Sequence, residues 1–220
     1  MMHHTHDAGD ADHARMWDEM YSARPQVWSG RPNPQLVKEA EGLKPGKALD
    51  LGCGEGADSL WLAEQGWTVT AVDVSEVALE RAREHASTSG HVHGGRISWE
   101  QHDLSEWTPE PEFALVSAQF LHSPALPWQQ ALATAAAGVA PGGTLLVVGH
   151  HPEHLPPGGS HEGSDMFFTQ EDVVAELRLE APQWQVEVCT VRERNATAPD
   201  GRDFTAGDAV VRATRLVTGN

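Results

Sequence analysis

The apolar residues of this chain change their period from one segment to the next. Met16, Trp17, Met20 and Tyr21 recur at helical spacing, which predicts a helix from Asp12, a residue able to cap, to Tyr21. Arg24-Pro25 ends that pattern, and Trp28-Ser29-Gly30-Arg31-Pro32-Asn33-Pro34 reads as a turn-rich loop. A short helix over Gln35 to Gly42 precedes Pro45-Gly46. Beyond it, short apolar runs alternate with amphipathic segments. The runs at 48–51, 68–72, 96–100, 113–118 and 144–148 predict strands. The segments at 57–65, 77–85, 128–139 and 169–180 predict helices, with Ser75 and Thr169 as N-caps. Trp184 to Arg192 and Ala209 to Val217 read as two final strands joined by a loop over 193–208. Repeated β–α units with apolar strands imply a parallel sheet covered by helices. The expected fold is α/β: a Rossmann-like, doubly wound sheet of seven strands. It is mostly parallel, with a C-terminal antiparallel hairpin and helices on both faces.

Composition narrows the partners. A chain of 220 residues suits one α/β domain with a full core. The expected division is a disordered His/Asp-rich tail over 1–10, N-terminal helices over 11–46, and the α/β domain over 47–220. The net charge of -17 repels phosphate backbones and anionic lipids, so neither nucleic acid nor membrane is expected as a partner. Cys53 and Cys189 are the two cysteines, too few for a disulfide framework. The first residues carry neither a basic region nor an apolar core, and no apolar stretch reaches spanning length. A reducing cytoplasm is therefore the expected location. The 13 histidines pose a separate question. His3, His4, His6 and His13 lie in the polar tail and read as part of a solvated end. His150, His151, His154, His161 and Glu162 fall in a Pro-interrupted run that matches no zinc signature, so no metal is expected.

The densest chemistry lies in Asp50-Leu51-Gly52-Cys53-Gly54-Glu55-Gly56-Ala57. An apolar run closes on an acidic residue, and three glycines follow within five positions. A strand, a glycine turn and a helix N-terminus in that order make a nucleotide-sized pocket. Gly52-x-Gly54-x-x-Ala57 also satisfies the dinucleotide pattern. Further along come Asp73 at the end of the second strand, His102-Asp103-Leu104 after the third, and Pro141-Gly142-Gly143 before the fifth. This whole series resembles that of the class I S-adenosylmethionine-dependent methyltransferases, over nearly the entire chain. It is most similar to small bacterial stand-alone enzymes of the tellurite-resistance and thiopurine types. One departure is Ala114, where the family usually carries an acidic residue.

The resemblance implies S-adenosylmethionine as cofactor and methyl transfer to a small-molecule acceptor by in-line displacement. It assigns Asp50, Gly52, Cys53, Gly54 and Gly56 to the turn under the methionyl portion. Asp73 and Val74 go to the ribose, Asp103 and Leu104 to the adenine. Ser117, Ala118 and Gln119 form the floor. The N-terminal helices correspond to a lid, with Trp28 facing the sulfonium and Arg31 the carboxylate. His122 and His150, at strand C-terminal ends, are the candidate catalytic bases; a backbone hydrogen bond is the alternative role for His122. Two other readings are a nicotinamide-dependent oxidoreductase and a non-catalytic binding module. Against the first, no Tyr-x-x-x-Lys pair is visible and Tyr21 is the sole tyrosine. Either a monomer or a homodimer fits.

Overall fold

A computed structural model describes residues 7–88, 94–155, 165–197 and 202–217. Helices α1 (Asp7–Ser22) and α2 (Pro34–Ala40) lead into β1 (Lys47–Leu51), α3 (Ala57–Glu64), β2 (Thr68–Asp73) and α4 (Glu76–Thr88). Then come β3 (Ile97–Gln101), β4 (Phe113–Gln119), α5 (Trp128–Gly138) and β5 (Val139–His150). The chain closes with α6 (Gln170–Glu176), β6 (Trp184–Thr197) and β7 (Asp203–Arg215). Seven strands form one sheet in the order β3-β2-β1-β4-β5-β7-β6. The first five are parallel, and β7 runs antiparallel to both β5 and β6.

Successive residues of the central strands feed two different cores. Leu49, Leu51, Leu145 and Val147 join the apolar cluster on one face, with α5 and α6. Ala48, Leu146 and Val148 join the cluster on the other, with α2 and α3. Side chains alternate across a strand, so a strand covered on both faces must be apolar at every position. That is why these runs read as unbroken hydrophobic segments. Among the described residues no helix is long and apolar enough to cross a membrane.

The structure moves several expected boundaries. Helix α1 begins at Asp7, five positions before the expected Asp12 cap, so part of the expected tail is helical; residues 1–6 lie outside the described residues. Strand β5 starts at Val139, before Pro141-Gly142-Gly143 rather than after it, because Val139 pairs with Phe113 and a register shift between Phe113 and Leu115 absorbs the turn. The expected 193–208 loop is largely strand: β6 and β7 stay paired out to Thr197 and Asp203. Arg194 on β6 pairs with the buried Asp208 at 3.1 Å, and Gln35 of α2 also donates to that carboxylate. These contacts carry the polar sequence into the ladder. Helix α6 ends early, at Glu176, and Arg178 just beyond it takes a φ of +50°. The Thr169 cap forms as expected, as a capping box with Asp172.

Candidate functional site

Strand order reverses between β1 and β4, and a ligand crevice is expected outside the carboxyl ends there. Gly52, just after the central strand, is exposed and left-handed (φ +67°), and the Leu121 side chain lies over it, 2.2 Å from where a Cβ would stand. The glycine turn that follows is held by the neighbouring strand: Gly52 and Cys53 both donate to the Val72 carbonyl, at 2.8 and 3.0 Å. At Gly54 the backbone is left-handed (φ +53°), and a Cβ would sit 2.9 Å from the Tyr21 hydroxyl. Only glycine lets the N-terminal segment close this tightly over the turn.

Asp73 faces the same turn. Its Oδ2 accepts the Gly54 N–H at 2.8 Å and its Oδ1 the Ser75 N–H at 2.9 Å. Burial raises its carboxyl above the usual range, against those hydrogen bonds. A carboxylate offers about four acceptor positions, and the Val74 N–H lies against a third, so about one remains for a ligand. At the end of β4, Gln119 donates to Ser117 Oγ at 3.0 Å, while its buried Oε1 has no partner among the described residues. An orphan acceptor beside an open crevice suits a ligand ammonium or hydroxyl. Asp103 Oδ1 accepts the Ser105 N–H at 2.8 Å, and Leu104 beside it is buried. Burial opposes ionisation of Asp103, but hydrogen bonds from Ser105 and His13 outweigh it and hold the carboxyl below its ordinary value. A glycine turn, the remaining acceptor capacity of Asp73, and the Gln119 acceptor fit the polar groups of S-adenosylmethionine.

Other expected ligand residues lie behind this surface. Asp50 is 2% exposed and accepts the Ser59 hydroxyl of α3 at 2.6 Å. Burial first, then the charge of Asp58, lifts its carboxyl to about 8. Asp58 accepts the Asn33 N–H at 2.6 Å, and burial pushes it to about 6. Asp50 thus braces the turn from beneath. Gly56 is occupied by packing, because a Cβ there would meet Trp99 at 2.7 Å and Ala82 at 2.9 Å. Cys53, Ser117 and Ala118 are buried, and burial raises the Cys53 thiol. The Val74 carbonyl accepts from Gln101. Arg31 and Trp28 sit exposed on the loop between α1 and α2, and the Trp28 indole donates to the Tyr21 hydroxyl at 2.9 Å.

The N-terminal segment is fastened by polar residues to which sequence reasoning gave no such role, and His13, expected in a solvated end, is instead buried. Glu55, inside the glycine turn, accepts the Val27 and Trp28 N–H groups at 3.2 and 3.0 Å and pairs with Arg81 at 3.0 Å. Arg81 also donates to the carbonyls of Tyr21 and Arg24. Asp18 accepts from Ser75 Oγ at 2.6 Å and from the Val77 N–H, capping α4 from another helix. His13 reaches Asp103 at 2.9 Å and Ser123 at 3.1 Å. One signal was available: His13, Trp17 and Tyr21 share one helical face at four-residue spacing.

The β4–β5 end is built from rings. Phe120 takes a φ of +52°, uncommon for a bulky residue, and its N–H bonds the Val148 carbonyl. Both nitrogens of His122 are engaged: Nδ1 with the Met166 carbonyl at 2.8 Å, and Nε2 accepting the His150 N–H at 2.9 Å. The ring is therefore the Nδ1–H tautomer, and burial lowers its pKa. This is the backbone-bonding role, and it leaves no lone pair to receive a substrate proton. His150 stacks on His122 at 5.3 Å and lies 4.6 Å from Phe120, with Phe167 5.0 Å from His122. His151 is buried and caps the turn at Glu153. No group of three metal-ligating side chains occurs among the described residues, and His161 and Glu162 lie outside them.

A family model described as a methyltransferase domain matches residues 48–143. The 2-heptyl-1-hydroxyquinolin-4(1H)-one methyltransferase of Mycobacteroides abscessus is 31% identical over 146 residues, 63% of this chain and 62% of that protein. The chain spans less than two thirds of the length of the curated relatives it matches. The N-methyltransferase NodS of Bradyrhizobium japonicum, solved with S-adenosyl-L-homocysteine, superposes with a TM-score of 0.66. It shares 18% identity, and the match covers 93% of this chain and 99% of that one. TehB of Haemophilus influenzae gives a TM-score of 0.65 at 18% identity, covering 91% and 67% respectively. At such identities the likeness is one of fold.

Proposed function

We propose that this chain, whose residues 48–143 match a methyltransferase domain and whose fold is that of S-adenosylmethionine-dependent enzymes, methylates a small-molecule acceptor in the cytoplasm. The observation that carries the reading is the pairing of Asp73 with the glycine turn beyond the carboxyl end of the central strand. When bound, S-adenosylmethionine supplies a sulfonium methyl that the acceptor heteroatom attacks in line, the thioether leaving. Asp73 takes the ribose hydroxyls, Asp103 and Leu104 take the adenine, and Gln119 Oε1 takes a donor of the methionyl portion. The segment over 11–46 acts as the lid and excludes water above the turn.

The acceptor enters at the β4–β5 end. Phe120, His150 and Phe167 are partly exposed there, and rings of this kind favour a planar acceptor. The hydroxyquinolone named in the M. abscessus relative is of that shape and class. For a hydroxyl acceptor the methyl goes to oxygen and the proton leaves; His150 is assigned to receive it. His122 positions His150 and the 166–168 turn. Titration calorimetry with S-adenosylhomocysteine tests the reading. Saturable one-site binding is expected, and an absence of heat at ~100 μM protein would overturn it. NADH in the same cell should give none.

A further inference from the structure

We propose that His13, on the N-terminal helix, is a positioning residue of the adenine subsite, orienting Asp103 to accept the exocyclic amine. This rests on the reading of the crevice as an S-adenosylmethionine pocket and adds a residue from outside the matched 48–143 domain. His13 is 7% exposed and makes three polar contacts. Nδ1 is 2.9 Å from Asp103 Oδ2, Nε2 is 3.1 Å from Ser123 Oγ, and the Trp17 indole N–H donates to Nε2 at 3.2 Å. An indole can only donate, so Nε2 is the acceptor and Nδ1 carries the ring proton. That proton points at Asp103. The carboxylate is then gripped from two sides, by His13 on Oδ2 and by the Ser105 N–H on Oδ1. Its plane is set before any ligand arrives, with acceptor positions still open.

The imidazole also bridges two loops. Asp103 follows β3 and Ser123 follows β4, the strands on either side of the β2–β1 pair. A helix anchored at both places crosses the nucleoside end of the site. Two of the three contacts of this buried imidazole are to groups 90 and 110 positions away, so tertiary structure largely holds it. If its purpose were only to dock the helix, an apolar residue would serve without the desolvation cost.

The test compares binding of S-adenosylhomocysteine with that of S-inosylhomocysteine, which carries a 6-oxo group in place of the 6-amine. Calorimetry on the full chain should show a ~10- to 100-fold preference for the amine in the parent protein, the range of a hydrogen bond to a charged group. His13→Ala should cut that preference to within ~3-fold, as should Asp103→Asn, and the double variant should lose no more than either. His13→Asn keeps a donor toward Asp103 and should retain most of the preference; it also serves if the alanine variant fails to fold. Equal weakening of both ligands in His13→Ala, or no change in the ratio, would overturn the inference while leaving the pocket reading intact. Failure of the parent protein to bind either ligand would overturn both.

Discussion

The two ends of the crevice are made of different material. At the β1–β3 end the groups proposed for recognition are main-chain amides and carboxylates, Asp73 and Asp103, each already fixed by N–H donors. At the β4–β5 end the proposed groups are rings: His122 and His150 stack, and Phe120 and Phe167 lie tilted against them. Groups that recognise an invariant nucleoside can be built into the backbone path. Groups that recognise a particular acceptor have to be side chains, because these change without altering the fold. The difference teaches that one end belongs to the architecture and the other to this chain.

Mutations should separate the ends accordingly. The largest effect is expected for Asp73→Ala, which strips the acceptor from two N–H groups and from the ribose. S-adenosylhomocysteine should bind ~1000-fold more weakly, about 4 kcal/mol, by calorimetry. A loss under tenfold would mean that the nucleoside is gripped elsewhere, and the contrast would fail.

Next comes the buried carboxyl under the turn. Asp50 titrates at about 8 in the fold, above its unfolded value of roughly 3.9. Above pH ~4 the unfolded chain releases a proton that the native state keeps. The stabilisation is complete below that pH and is lost as pH rises toward about 8. Urea unfolding should show stability falling between pH 5 and pH 8, and Asp50→Asn, which still accepts from Ser59, should flatten that fall by on the order of 3 kcal/mol. An unchanged slope would assign the titration to another group.

On the ring side, His122→Ala leaves the Met166 carbonyl and the His150 N–H without partners. Stability should drop by about 2 kcal/mol and the acceptor KM should rise. The pH profile of kcat should keep its shape, since the ring holds no spare lone pair. Loss of the acidic limb would instead make His122 a base. The smallest effect is expected for Trp28→Phe, which removes one half-exposed N–H···O bond to Tyr21. Cofactor affinity should change by only a fewfold, about 1 kcal/mol.

Legibility in the sequence follows the same divide. The strand–glycine turn–helix unit, Asp73 and Asp103-Leu104 were readable because local spacing alone places them. Glu55 was quoted within the turn, yet nothing local says that its carboxylate reaches residues 27 and 28. Asp18 capping α4 and His13 meeting Asp103 depend on contacts 57 and 90 positions apart. The roles of His122 and His150 depend on which carbonyl lies beside an imidazole, a fact of tertiary packing. The antiparallel β6–β7 pair is legible, but its extension through 193–208 is not, because Arg194 and Asp208 read as polar loop until they are seen to pair.

On the proposed reading of the N-terminal segment as a lid, the Glu55–Arg81 clasp governs its opening and closing. Closed, the two side chains are 3% and 19% exposed, so dissolved salt scarcely reaches between them. Once the N-terminal segment swings away, both charges stand in water and ions screen their attraction. Ionic strength should therefore slow the return of the strap far more than it speeds its release, and high salt would prolong the moment in which spent nucleoside departs and a fresh one arrives.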